Sequence, residues 1–187
     1  MYRTFEEVTR GALQHAVAEA ELTLAADESE KVIAAYNELH VFPEVPDALG
    51  AVGENTMLEA YVFSNGTGEM VSASVSGSPD LQAHAGVFKG LLTVEEVQAF
   101  KPNNMTYDYM LLEVGKADAP EDVWLVSANP FDIVGAAAAG LQTAWVDRAG
   151  TGWVDRLGAV IGGLRPTLVV SGVDKAVEEI VEAAGLD

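Results

Sequence analysis

Residues 123–140 read Val-Trp-Leu-Val-Ser-Ala-Asn-Pro-Phe-Asp-Ile-Val-Gly-Ala-Ala-Ala-Ala-Gly, and this stretch decides the fold. The apolar run Val123 to Val126 is short and suits a buried strand. It passes into Ser127, Ala128, Asn129 and Pro130, and Asp132 then precedes a small-residue helix expected over Ile133 to Gly140. An open parallel sheet presents a site in this way, with side chains at the carboxyl end of a strand beside helix-start amides. Upstream, Tyr61-Val62-Phe63-Ser64-Asn65-Gly66 repeats the layout, and Phe100-Lys101-Pro102 supplies a lone lysine between the two.

Working outward, the pattern over 2–36 is helical, with Phe5, Val8, Leu13, Val17, Ala20 and Leu22 at spacings that suit a buried stripe. Asp27 or Ser29 is the expected cap of a second helix reaching Leu39, with Val32, Ile33 and Tyr36 on one face. Phe42-Pro43-Glu44-Val45-Pro46-Asp47 breaks the helix and reads as a connector. Strands are expected over 58–63, 90–93, 123–127, 143–146 and 167–170. Helices are expected over 48–52, 68–76, 104–114 and 173–184, with a short turn near 81–84. This alternation predicts an α/β, Rossmann-like parallel sheet with helices on both faces.

The chain has 187 residues, 49% of them hydrophobic, which supports one good core. No apolar run approaches the ~20 residues of a membrane span, and no secretory pattern opens the chain, so a cytoplasmic protein is expected. Without cysteine there is no disulfide, thiol catalysis or zinc-thiolate site. The formal net charge of −19, from 29 acidic against 10 basic residues, repels phosphate backbones and argues against nucleic acid as a partner. It also means that a site for a small anion must carry its own positive charge.

Each candidate has a bland alternative. Ser64, Asn65, Gly66 and Thr67 suit an oxyanion or carboxylate site, or an ordinary strand-to-helix turn with a capping hydroxyl. Lys101, with Tyr107 six residues on, suits an anion anchor beside an aspartate, or a surface position on an acidic protein. Asp132 suits the orientation of a water or a lysine, or a helix cap. His15, His40 and His84 are scattered without metal-ligand spacing, and Trp124, Trp145 and Trp153 read as packing.

Together, Ser64-Asn65-Gly66, Lys101-Pro102 with Tyr107, and Ser127-Ala128-Asn129-Pro130-Phe131-Asp132 resemble the haloacid dehalogenase superfamily, and more narrowly its L-2-haloacid dehalogenase (type II) branch. The connector at 42–47 and the run Gly140 to Arg148 also read like that branch. The resemblance implies a HAD-like core over 42–187 with a partial helical cap over 1–41. It implies hydrolytic dehalogenation of a short 2-halocarboxylate through an aspartyl ester, without cofactor or metal. Superfamily phosphatases place a magnesium-binding aspartate where this chain has Ala128, and alanine offers a hard cation no oxygen.

By position, the resemblance assigns catalytic roles to Lys101, Asp132, Ser127 and Asn129. It assigns substrate contacts to Ser64, Asn65, Tyr107, Phe131 and Phe5, with Tyr107 bonding around Lys101, and it implies a homodimer. One departure stands out. The family's first motif, a strand ending in Asp-x-Tyr-Gly-Thr that carries the nucleophile, has no counterpart here. The expectation is therefore a truncated product that is inactive by itself, with the central strand between those ending at Ser64 and Ser127 absent. A non-catalytic HAD-like binding or scaffold protein is the alternative.

Overall fold

The computed structural model describes residues 1–35 and 40–186. Two helices open the chain, α1 (Phe5–Glu19) and α2 (Ala26–Ala34). Thr4 caps α1 through a capping box, its hydroxyl accepting from the Glu7 amide while the Glu7 carboxylate accepts from the Thr4 amide. The cap of α2 differs from expectation. The helix starts at Ala26, and the Glu28 carboxylate takes the Ala25 amide at 2.8 Å, so neither Asp27 nor Ser29 is the cap. The expected continuation of this helix to Leu39, including Tyr36, falls outside the described residues. No residue of α1 or α2 is buried. Arg10 ties them together, reaching Glu6 on its own helix and Glu30 on the next.

The remainder alternates as the sequence predicts. Its elements are α3 (Val45–Glu54), β1 (Ala60–Ser64), α4 (Gly68–Gly77), β2 (Phe88–Thr93), α5 (Asn104–Glu113), β3 (Trp124–Ser127), α6 (Pro130–Ala138), β4 (Gln142–Val146), α7 (Leu157–Val160), β5 (Leu168–Val170) and α8 (Val173–Ala184). The turn expected near Leu81 is a 3-10 segment, Gln82–Val87. All strand pairings are parallel, but they form two sheets, β1–β2 and β3–β4–β5. Among the described residues no pairing joins β1 to β3.

Helices cover both faces. Alternation along β3 sends Leu125 toward Tyr107, Met110 and Leu111 of α5 and Ala136 of α6. Its neighbour Trp124 packs on the opposite side with Ala144, Val146, Val170, Ala176 and Ile180, the last two from α8. Tyr61 and Phe63 of β1 pack against the same cluster as Leu125, so side chains span the two sheets where backbone pairing does not. Thr143 and Thr167 exchange reciprocal amide-to-hydroxyl bonds of 3.1 Å that fasten the start of β4 to the segment entering β5. The connector is pinned as well. Arg148, just after β4, pairs with Glu44 at 2.7 Å and lies 3.8 Å over the Phe42 ring.

Ile133, fully buried at the start of α6, tests this core. Ile133→Ala removes three methyl-scale groups that the packed strands cannot refill, and its expected cost is about 2–5 kcal/mol. Urea denaturation would report that loss.

Candidate functional site

The carboxyl ends of β1 and β3 carry the candidate residues, and Lys101 links them. Its side chain is nearly enclosed (8% exposed), as is that of Asp132 (6%), and the two form an ion pair of 2.8 Å. The same ammonium donates to the Phe63 carbonyl in β1 at 3.1 Å and sits 4.4 Å over the Phe63 ring. A buried lysine is tolerable only when its charge is matched and its protons are placed. Here carboxylate, carbonyl and ring do that together. The lysine's backbone is fixed too, its amide donating to Asn65 Oδ1 at 2.9 Å. Asn65 therefore spends its carboxamide oxygen on positioning Lys101.

Asp132 is held from its other side by Tyr107. The phenol donates 2.7 Å to Oδ1, while Lys101 takes Oδ2. Tyr107, expected to bond around Lys101, bonds to that lysine's partner Asp132, and it is fully buried. Burial, then the neighbouring Asp132 charge, then the bond to it push the phenol well above its ordinary value. Tyr107 is neutral and a firm donor. Its ring fits because position 135 is glycine. A Cβ there would stand 2.5 Å from the Tyr107 hydroxyl.

The hydroxyls at the strand ends close their own turns. Ser64 Oγ accepts from the Gly66 amide at 2.9 Å, and Ser127 Oγ from the Asn129 amide at 3.1 Å. Each hydroxyl keeps one proton that these turn bonds do not use. Asn129 occupies the cap position of α6 without a side-chain capping bond and is exposed. Phe131 is 45% exposed. Phe5 from α1 does not reach Lys101 directly; it stacks edge-on against Phe100, with ring centroids 6.1 Å apart, and Tyr2 joins the same ring at 5.4 Å.

Phe100 and Phe63 are therefore parts of the site that residue types alone did not single out. Phe100's place immediately before the lysine was the available signal, whereas the Phe63 role depends on a backbone carbonyl, which no motif records. Ala128 contributes its carbonyl, which accepts from the Trp145 indole at 3.3 Å. Among the described residues no group of three His, Asp or Glu side chains is arranged to hold a metal ion.

The HAD-hydrolase-like family model matches residues 99–176, from just before Lys101 into α8. Haloacetate dehalogenase H-2 of Moraxella sp. (strain B) is 33% identical over 149 residues, covering 80% of this chain and 63% of the relative. The (S)-2-haloacid dehalogenase of Pseudomonas sp. (strain YL) is 33% identical over 152 residues, covering 80% and 61%. The chain thus spans less than two thirds of the length of these relatives. Among solved structures, L-2-haloacid dehalogenase RSc1362 superposes with a TM-score of 0.83 at 24% identity, covering 96% of this chain and 73% of that one. The Xanthobacter autotrophicus L-2-haloacid dehalogenase with chloropropionic acid covalently bound gives 0.78, also at 24%, covering 96% and 76%.

Two outcomes test this geometry. Gly135→Ala forces the Tyr107 ring off Asp132, with an expected loss of about 1–3 kcal/mol in urea denaturation. The second is a pH effect. Because the folded phenol titrates above its ordinary value of 10.0, its contribution to stability is complete below that pH and is lost as pH rises toward the folded value. Stability of the native chain should fall above pH ~10 by a component that Tyr107→Phe abolishes.

Proposed function

We propose that the chain is a haloacid dehalogenase-like hydrolase and the major part of a 2-haloacid dehalogenase. Its substrate is a short (S)-2-halocarboxylate, converted to the 2-hydroxycarboxylate. The observation that carries this reading is the enclosed Lys101 ammonium, shared between a β1 carbonyl and Asp132. That arrangement places one ammonium, matched by Asp132, at the point where the β1 and β3 ends come together.

The attacking carboxylate comes from a strand seated between β1 and β3, outside these 187 residues. Its oxygen displaces halide from the 2-carbon, the C–X bond breaking as the new C–O bond forms and the halide leaving with the electron pair. Water then attacks the ester carbonyl, releasing the hydroxyacid and restoring the carboxylate. Lys101 pairs with that carboxylate and lowers the cost of its burial. Asp132, with Asn129, orients the water, and Tyr107 is a positioning residue that fixes Asp132. Ser64 and the amides after it bind the substrate carboxylate, with Asn65 holding Lys101 in place. Ser127 supports the nucleophile's side, and Phe131 and Phe5, the latter through Phe100, wall the alkyl group.

Phosphoryl transfer with magnesium fits the site poorly, because Ala128 has no side-chain oxygen and its carbonyl is occupied by Trp145. In the proposed architecture α1 and α2 belong to a helical cap over 1–41 and residues 42–187 form the core. The complete enzyme works in the cytosol as a homodimer.

Chloride release from (S)-2-chloropropionate decides the matter, assayed with this chain alone and with the chain extended by the segment preceding it in its gene. The expected result is release by the extended form only, falling about 100- to 1000-fold in Lys101→Ala. Silence of both forms toward every 2-haloacid, with a cooperative melt of each, would leave a non-catalytic binding protein instead.

A further inference from the structure

The distribution of unneutralised positive charge points to a second site. Eight of the ten basic side chains lie in ion pairs with carboxylates: Arg3, Arg10, Lys31, Lys89, Lys101, Lys116, Arg148 and Lys175. Arg156 and Arg165 have no such partner among the described residues. Both line one concavity of about 310 Å³ on the connection between β4 and β5. In a chain of net charge −19, the two free guanidiniums fall in a single hollow rather than being scattered over the surface.

The other walls of the hollow are apolar: Trp153, Leu164, Pro166 and Val169. Asp155 also lines it, but its carboxylate accepts the Gly158 amide at 3.0 Å and so is partly spent on closing α7. The local balance is two cations against one engaged carboxylate. A volume of this size sits at the small end of ligand pockets. A planar guanidinium recognises a carboxylate through paired N–H donors and stacks on aromatic faces. None of the residues that surround Lys101 takes part in this hollow.

We propose that this concavity binds a small organic carboxylate with an apolar body, its acid group held by Arg156 and Arg165 and its body lying against Trp153, Pro166 and Val169. The apolar part supplies burial and the acid group supplies orientation. Neither alone fits, because an inorganic anion leaves the Trp153 wall uncovered and a neutral hydrocarbon leaves both guanidiniums unmatched. Trp153 is also the natural reporter. It packs edge-on against Trp145 at 5.0 Å, and the Trp145 indole donates to the Ala128 carbonyl between Ser127 and Asn129.

Phenylacetate and the isosteric neutral phenylacetamide serve as probes, titrated against the intact chain by tryptophan fluorescence. Phenylacetate is expected to give a saturable change at millimolar or lower concentration, weakened by added salt, with the amide at least about 10-fold weaker. Arg156→Ala with Arg165→Ala, both exposed positions whose variants keep their circular dichroism, should weaken phenylacetate by at least about 10-fold. No saturable change with phenylacetate would overturn the proposal. So would equal binding of the amide, or undiminished phenylacetate binding in the double variant. These readouts involve neither halide release nor Lys101, so they stand or fall apart from the dehalogenase reading.

Discussion

One ammonium group holds the functional end of this molecule together. Lys101 leaves the turn after the 3-10 segment Val94–Val97, enters the space between two sheets that do not pair, and bonds to a member of each side. Without the carboxylate of Asp132 its charge would be buried and unmatched, a condition that costs several kcal/mol. Without the lysine, Asp132 would face the same penalty. Each is in turn positioned by a neighbour whose purpose is geometric: Asn65 for the lysine's backbone, and Tyr107 for the aspartate. Gly135 makes room for Tyr107, so a residue with no side chain also contributes to the arrangement.

Much of the fold was readable in advance because it rests on period and punctuation. Val123 to Ser127 and Thr143 to Val146 are short apolar runs bounded by turn residues, and both are strands within a residue of the expected bounds. The closing helix matches at both ends, helped by the αL glycine Gly185 at its terminus. The start of α2 was misjudged because its first amide is satisfied from inside the helix by Glu28. The preceding Ala25 offers no side-chain signal.

The site was legible in residue type but not in partnership. Lys101, Asp132 and Tyr107 were all identified, yet sequence spacing cannot tell whether a phenol six residues beyond a lysine turns toward it or past it. Its hydroxyl meets Asp132 Oδ1, because α5 carries the ring against α6. Contributions made through main-chain atoms, such as the Phe63 and Ala128 carbonyls, leave no trace in composition. The ion pair of Arg148 with Glu44 likewise joins residues 104 positions apart, beyond the reach of any local pattern.

The first two helices have no buried residue among those described, and the Tyr2 and Phe5 rings at the start of the chain pack against Phe100. Three aromatic rings thus join the start of the chain to the residue next to Lys101, so a change at Phe100 touches the opening helix and the candidate site together.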